Sequence, residues 1–252
     1  MSLIYTAPCL LVLAFTAPAL PVTSVVAPVS VAQSVQTAKE SESGHRYPVT
    51  TPSTLKAEDA KKEGVKPLTL DLLGMGIREK TIFNVNVYSY ALYVDDETVQ
   101  SELKKWKGMS ASKVGSDGAL FAKLLSQTGT KELRLRFCRN VDAEDVVSAF
   151  EDSLKPRILE MKKAEKGTEA EKLANLTTFR KFFSLDKLKD GNELRFTWHP
   201  DGTLSTVVNG ERKPDVMAPA LAMAMFDVYL GAKPISKSSK KKLVKRLPEI
   251  IE

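Results

Sequence analysis

Cysteine and histidine are scarce, two of each in 252 residues. Cys9 falls in an apolar leader and Cys138 in an alternating, strand-like run, so a chain that has shed its leader keeps one buried thiol and no disulfide. His45 and His199 stand far apart, and neither has cysteines or carboxylates at metal-ligand spacing. The expectation is a protein without a metal and without a cofactor. Charge is missing altogether from residues 1–38, and the first arginine is Arg46. Long apolar runs are missing too: Pro8, Pro18 and Pro21 interrupt the leader short of the roughly twenty residues a membrane span needs. What remains is a short apolar core, CLLVLAFTAPAL, with small residues for cleavage at Ala17-Pro18-Ala19 or Ser30-Val31-Ala32. We read residues 1–32 as a secretory signal peptide, although only the α-amino group supplies the usual positive start. The protein is then secreted or periplasmic. An organelle such as a plastid is the alternative, and the lack of arginine in the leader counts against it.

Residues 33–65 carry Ser, Thr, Pro, Ala and charge without periodicity and read as a flexible linker, which places the folded domain at 66–252. A hydrophobic fraction of 43% is enough to fill its core. The net charge of +6 is concentrated at the end, where residues 233–252 hold seven basic residues against two acidic ones. No aromatic side chains are interleaved among those lysines, so the run reads as the solvated face of a helix and nucleic acid is not an expected partner.

Within the domain, helical patterns cover 98–106 and 111–127. Residues 131–138 alternate as a half-buried strand, with Leu133, Leu135 and Phe137 inward and Arg134 and Arg136 outward. Asp142 caps a helix that continues through Phe150, Leu154 and Ile158, a charged segment near 162–172 leads into another ending near Leu185, and 192–198 pairs with 203–208 around His199-Pro200-Asp201-Gly202. Asn209-Gly210 marks a further tight turn. Residues 216–230 are apolar nearly all round, so this helix is buried or roofs a cavity, and its methionines, Met225 among them, either fill the core or line a pocket. Gly231 ends it, and 237–247 forms a last amphipathic helix. About six strands and several later helices make an α+β protein, a long antiparallel sheet covered by helices.

The stretch 70–94, LDLLGMGIREKTIFNVNVYSYALYV, organises the rest. It reads as two strands around a turn from Gly74 to Arg78. In the second strand Val85, Val87, Ser89, Ala91 and Tyr93 point to one face, and Asn86, Tyr88, Tyr90, Leu92 and Val94 to the other. Bulk on both faces implies cover on both, by helices on one side and by something else, such as a ligand cavity, on the other. Arg78 needs an anionic partner there: a ligand, or a structural carboxylate such as Asp71 or Glu79. Tyr88 is either part of that site or ordinary core.

The run GMGIREKTIFNVNVYSYALYVDD, the following Lys105-Trp106-Lys107-Gly108, and the stretch from Ala220 through VYLGAKPISKSSKKKLVKRL resemble the chalcone isomerase family over roughly residues 66–247. They resemble its non-enzymatic fatty-acid-binding and bacterial chalcone-isomerase-like members more closely than the plant flavonoid enzymes. The resemblance implies an open-faced β-sandwich with a ligand cleft between sheet and helices. For the plant enzymes it implies intramolecular ring closure, in which a phenolate attacks an unsaturated ketone. An arginine holds the anion, Thr and Tyr polarise the carbonyl through water, and Asn and a Thr or Ser bind further out. Arg78 matches the arginine, whereas Tyr88 stands at the Thr, and Arg139, Val146 and Ala222 stand about where the Tyr, the Asn and the Thr or Ser would be. Neither Val146 nor Ala222 has a side-chain hydrogen bond to give, so no catalytic residue is assigned.

For the fatty-acid-binding members the resemblance implies that the arginine and the strand tyrosine hold a carboxylate by charge-assisted hydrogen bonds. Arg78 and Tyr88 take those roles, Tyr90 lies on the same face, Arg139 is a second cation, and Met225 belongs to the helix against which an acyl chain lies. The expected ligand is a fatty acid or another amphipathic anion. Two other readings stand beside it: an intramolecular lyase working in the same cleft, and a domain with a vestigial pocket that acts through a protein partner. The sequence does not disclose the oligomeric state.

Overall fold

The computed structural model describes residues 35–80, 85–126, 128–161 and 168–252. The signal-peptide reading of residues 1–32 lies outside them, as does most of the expected charged segment near 162–172.

Among the described residues, eight strands form one antiparallel sheet. In chain order they are β3 (Thr50–Pro52), β4 (Thr69–Lys80), β5 (Val85–Asp95), β6 (Lys131–Phe137), β9 (Glu193–Trp198), β10 (Thr203–Val208), β11 (Glu211–Arg212) and β12 (Val216–Met217). Their spatial order is β11, β10, β9, β6, β5, β4, β3, with β12 also beside β10. Two small ladders join β1 (Thr37–Lys39) to β2 (Arg46–Pro48) and β7 (Val141–Asp142) to β8 (Lys187–Leu188). The helices are α1 (Asp96–Glu102), α2 (Ala111–Val114), α3 (Gly118–Leu124), α4 (Ala143–Glu160), α5 (Glu169–Arg180), α6 (Pro219–Leu230), α7 (Lys237–Lys242) and α8 (Leu247–Ile250).

The expected turn at Gly74 to Arg78 does not occur, because β4 runs through it and pairs with β5, with register shifts at Leu73, a bulge, and between Arg78 and Glu79. The two glycines serve close packing instead. A Cβ on Gly74 would lie 2.2 Å from the backbone oxygen of Lys242, and one on Gly76 would lie 2.8 Å from Cβ of Ser239, so α7 settles directly onto bare backbone. The bulge reverses the parity of the strand. Leu70 and Leu72 share a face with Ala91 and Tyr93, whereas Gly74, Gly76 and Arg78 share the opposite, helix-covered face with Leu92, Tyr90 and Tyr88.

On that face the apolar positions of α4, namely Val146, Val147, Phe150, Leu154 and Ile158, recur at helical spacing and are buried with α6 against the sheet. The expected helix over 216–230 begins only at Pro219, whose fixed φ suits a first helical position, and Val216–Met217 extends the sheet instead. The helical pattern over 111–127 divides into α2 and α3, since Asp117 breaks it and caps α3 by accepting from the Ala119 and Leu120 amides.

The opposite face corrects two expectations. Within the expected linker, residues 37–52 are part of the fold: β3 joins the sheet edge, and the β1–β2 hairpin lies over the sheet with Tyr47 fully buried among Leu70, Leu72, Ala91 and Tyr93. The Tyr47 hydroxyl and His45 Nδ1 both meet Ser89 Oγ, at 2.8 and 2.7 Å. One buried ring in a polar context has no periodicity, which is why the layer is invisible to pattern. The second correction is Arg134, which is not solvated on the outer face of β6. It is buried under this layer, donating to Glu132 at 2.6 Å and to Thr51 at 2.7 Å, while Glu132 also accepts from Thr54 and Thr197.

Candidate ligand-binding cleft

Arg78 and Tyr88 are directly opposed in the β4–β5 ladder, so residues ten apart in the chain become cross-strand neighbours on the helix-covered face. Tyr88 is in turn opposed by Phe137 on β6, ring edge to ring face at 5.7 Å. From above, α6 brings the Tyr229 hydroxyl to 3.1 Å from that of Tyr88. A cavity of about 520 Å³ opens beside this group. Val146, Ala149 and Phe150 of α4, with Val228 and Ile235, give it an apolar wall, and Arg139, Asp142, Asp145 and Lys187 stand around the rim.

The electrostatics favour an anion at the inner end. Arg78 is half-buried, and its Nη1 makes one long contact, 3.5 Å, to the Ile235 carbonyl. Among the described residues it forms no ion pair with a carboxylate. Asp71, a candidate structural partner, lies toward the other end of β4 beside Asp96. Burial pushes the phenols of Tyr88 and Tyr229 up from their ordinary range, so both remain protonated donors. Each phenol carries one proton and the contact between them uses one, leaving the other free to donate to an incoming oxygen. A guanidinium with unused N–H groups next to a phenol that can still donate is suited to hold a carboxylate.

Arg78, Tyr88 and Arg139 therefore stand around one cavity, Arg139 on the exposed rim. Tyr90 and Met225 do not line it. Tyr90 is fully buried one step inward on the same strand face, its ring 4.6 Å from that of Tyr229 and packed beneath Gly76. Met225 is fully buried one turn before Tyr229, because α6 is enclosed on nearly all sides and only Val228 and Tyr229 near its C-terminal end reach the cavity. Val146 lines the cavity and Ala222 is sealed in the core. Sequence reasoning missed Tyr229 and the α4 wall. The hydroxyl of Tyr229 in a run of otherwise apolar residues was the available signal, but periodicity does not say which end of a buried helix meets a cavity.

The architecture is a mixed α+β fold, an antiparallel sheet roofed by helices, with a side cavity where a guanidinium and two phenols meet an apolar wall. Residues 68–244 match the family described as "Chalcone isomerase like". The chain belongs to the chalcone isomerase-like family. Over 187 residues it is 28% identical to fatty-acid-binding protein 2 of Arabidopsis thaliana, covering 72% of this chain but only 46% of that protein. It is 24% identical over 190 residues to chalcone–flavanone isomerase of Zea mays, covering 71% of this chain and 79% of the maize protein. The crystal structure of the Arabidopsis thaliana fatty-acid binding protein AtFAP1 superposes with a TM-score of 0.65 at 19% identity, covering 85% of this chain and 98% of that one, so the two share a fold.

Proposed function

We propose that the cleft binds the carboxylate of a fatty acid or similar amphipathic anion and does not transform it. One observation carries this reading: Arg78 enters an apolar-walled cleft beside the Tyr88–Tyr229 pair with no carboxylate partner among the described residues. A volume of about 520 Å³ falls within the range of ligand pockets, roughly 300–1,000 Å³. Each methylene taken from water contributes about 0.8 kcal/mol gross, much of it offset by ordering, so useful affinity needs no chemistry. The similarity to an Arabidopsis fatty-acid-binding protein supports the ligand class. Against ring closure stands the lining itself, where Val146 presents only methyl groups to the cleft and Ala222 does not reach it.

The test is native mass spectrometry of the purified protein, followed by fluorescent fatty-acid titration of wild type, Arg78→Ala and Tyr88→Phe. Co-purified acyl species, with affinity falling roughly tenfold or more in Arg78→Ala and less in Tyr88→Phe, are expected. An empty, well-folded protein indifferent to both substitutions overturns the reading and directs attention to a protein partner. The similarity to a maize isomerase motivates one second reading, ring closure in the same cleft. Turnover of a chalcone above background that is lost in Arg78→Ala would favour it.

A further inference from the structure

We infer that Phe150 sets the length of acyl tail the cleft accepts. The inference rests on the carboxylate reading and adds to it a limit on ligand size. Phe150 belongs to two walls at once: it lines the cleft of about 520 Å³, and it lines a second cavity of about 30 Å³ enclosed by α4, α5 and the single turn Lys181–Phe183. Helical geometry explains the double role. Val146, Ala149 and Ser153 of α4 turn toward the cleft, Val147 and Glu151 turn toward the small cavity, and Phe150 lies on the seam.

The ring is held in place from behind. Its centroid is 5.9 Å from that of Phe183, 6.2 Å from Phe179 and 5.8 Å from Phe196 on the sheet. Edge-on packing against Phe179 and Phe196, with a tilted contact to Phe183, resists displacement by a flexible tail. The space beyond is small; its inner lining of Val147, Leu176 and Phe179 is apolar, and the Glu151–Arg180 ion pair and Thr177 stand on its outer side. A single ring therefore separates the cleft from an apolar extension under α5. Arg78 and Tyr88 hold the head group from the β4–β5 ladder, and Phe150 bounds the cleft on the α5 side.

Saturated fatty acids from octanoate to stearate, titrated singly into wild type, Phe150→Ala, Phe150→Trp and Arg78→Ala, test this. The expected result is an optimum chain length in wild type that moves to longer acids in Phe150→Ala, with roughly tenfold relative gain for the longest bound, and to shorter acids in Phe150→Trp. Arg78→Ala should weaken every length alike and leave the optimum in place, which separates the head contact from the tail limit. Phe150→Leu, a milder truncation, repeats the test if the alanine variant does not fold. An unchanged optimum in folded Phe150 variants of a protein that binds fatty acids overturns this inference alone. No binding of any length by wild type removes the carboxylate reading, and the length limit with it.

Discussion

Three charged groups, Arg78, the Glu132–Arg134 pair and Asp71, behave differently because their surroundings differ. Arg78 keeps unused donors at a cleft, which is a binding disposition. Arg134 spends its donors on Glu132 and Thr51 beneath the N-terminal layer, which is a structural one. Glu132→Ala would leave that guanidinium buried and uncompensated, and we expect a loss of about 3–5 kcal/mol in chemical denaturation, with fatty-acid affinity per folded molecule unchanged. Asp71 gives a pH dependence with a defined sign. Burial, then the neighbouring Asp96, push its carboxyl up to about 6 from the ordinary 3.8. The folded protein thus holds this proton more tightly than the unfolded chain does. The stabilisation it brings is complete below pH 3.8 and is lost as pH rises through about 6. Asp71→Asn, which cannot ionise, should therefore raise the melting temperature above pH 6 relative to wild type, with the gap closing toward pH 3.8. A gap independent of pH would show that Asp71 titrates normally.

The elements that shape the cleft depend on two local features of β4. Without the extra residue at Leu73, Arg78 would fall on the face of Leu70 and Leu72, under the N-terminal hairpin and away from the cleft. The glycines after the bulge let α7 approach, and α7 follows directly after the cleft residue Ile235 and Ser236, the α7 cap. Gly74→Ala places a methyl group against the main chain of Lys242 and Leu243, which cannot swing aside as a side chain tip can. We expect about 1–3 kcal/mol of destabilisation or more, together with weaker ligand binding as α7 is displaced. Gly76→Ala meets the Cβ of Ser239 and the ring of Tyr90, and should cost less. Denaturation curves of the two variants, measured side by side, rank them. Both glycines were plain in the sequence, but a glycine that permits a turn and a glycine that admits a neighbouring helix look the same there.

Residues 35–252 form a sheet covered on both faces, and its second cover comes from the segment before residue 66. A chain of residues 66–252 would expose Leu70, Leu72, Ala91 and Tyr93 and strip Arg134 of its Thr51 contact. It should denature at a markedly lower urea concentration than residues 35–252, or aggregate. Equal stability would restore the linker reading. Much of this architecture was legible in the chain itself. The alternation of β5 and β6, the α4 stripe and the β9–β10 hairpin follow from backbone geometry, since period 2 and period 3.6 sort side chains locally. The same alternation put Tyr88 and Tyr90 on one face, and the family resemblance pointed to Arg78, which borders the cavity. Local order could not say which buried groups border empty space. Tyr90 and Met225 are as apolar in their setting as Tyr229 and Phe150, yet only the latter two reach the cavity. The sequence by itself determined the locally patterned elements, β5, β6, the α4 stripe and the β9–β10 hairpin, with the faces their periods sort. Tertiary structure alone decided where the cleft lies, because a cavity is the volume left between elements, and that volume depends on one bulge, two helix approaches and the packing of rings far apart in the chain.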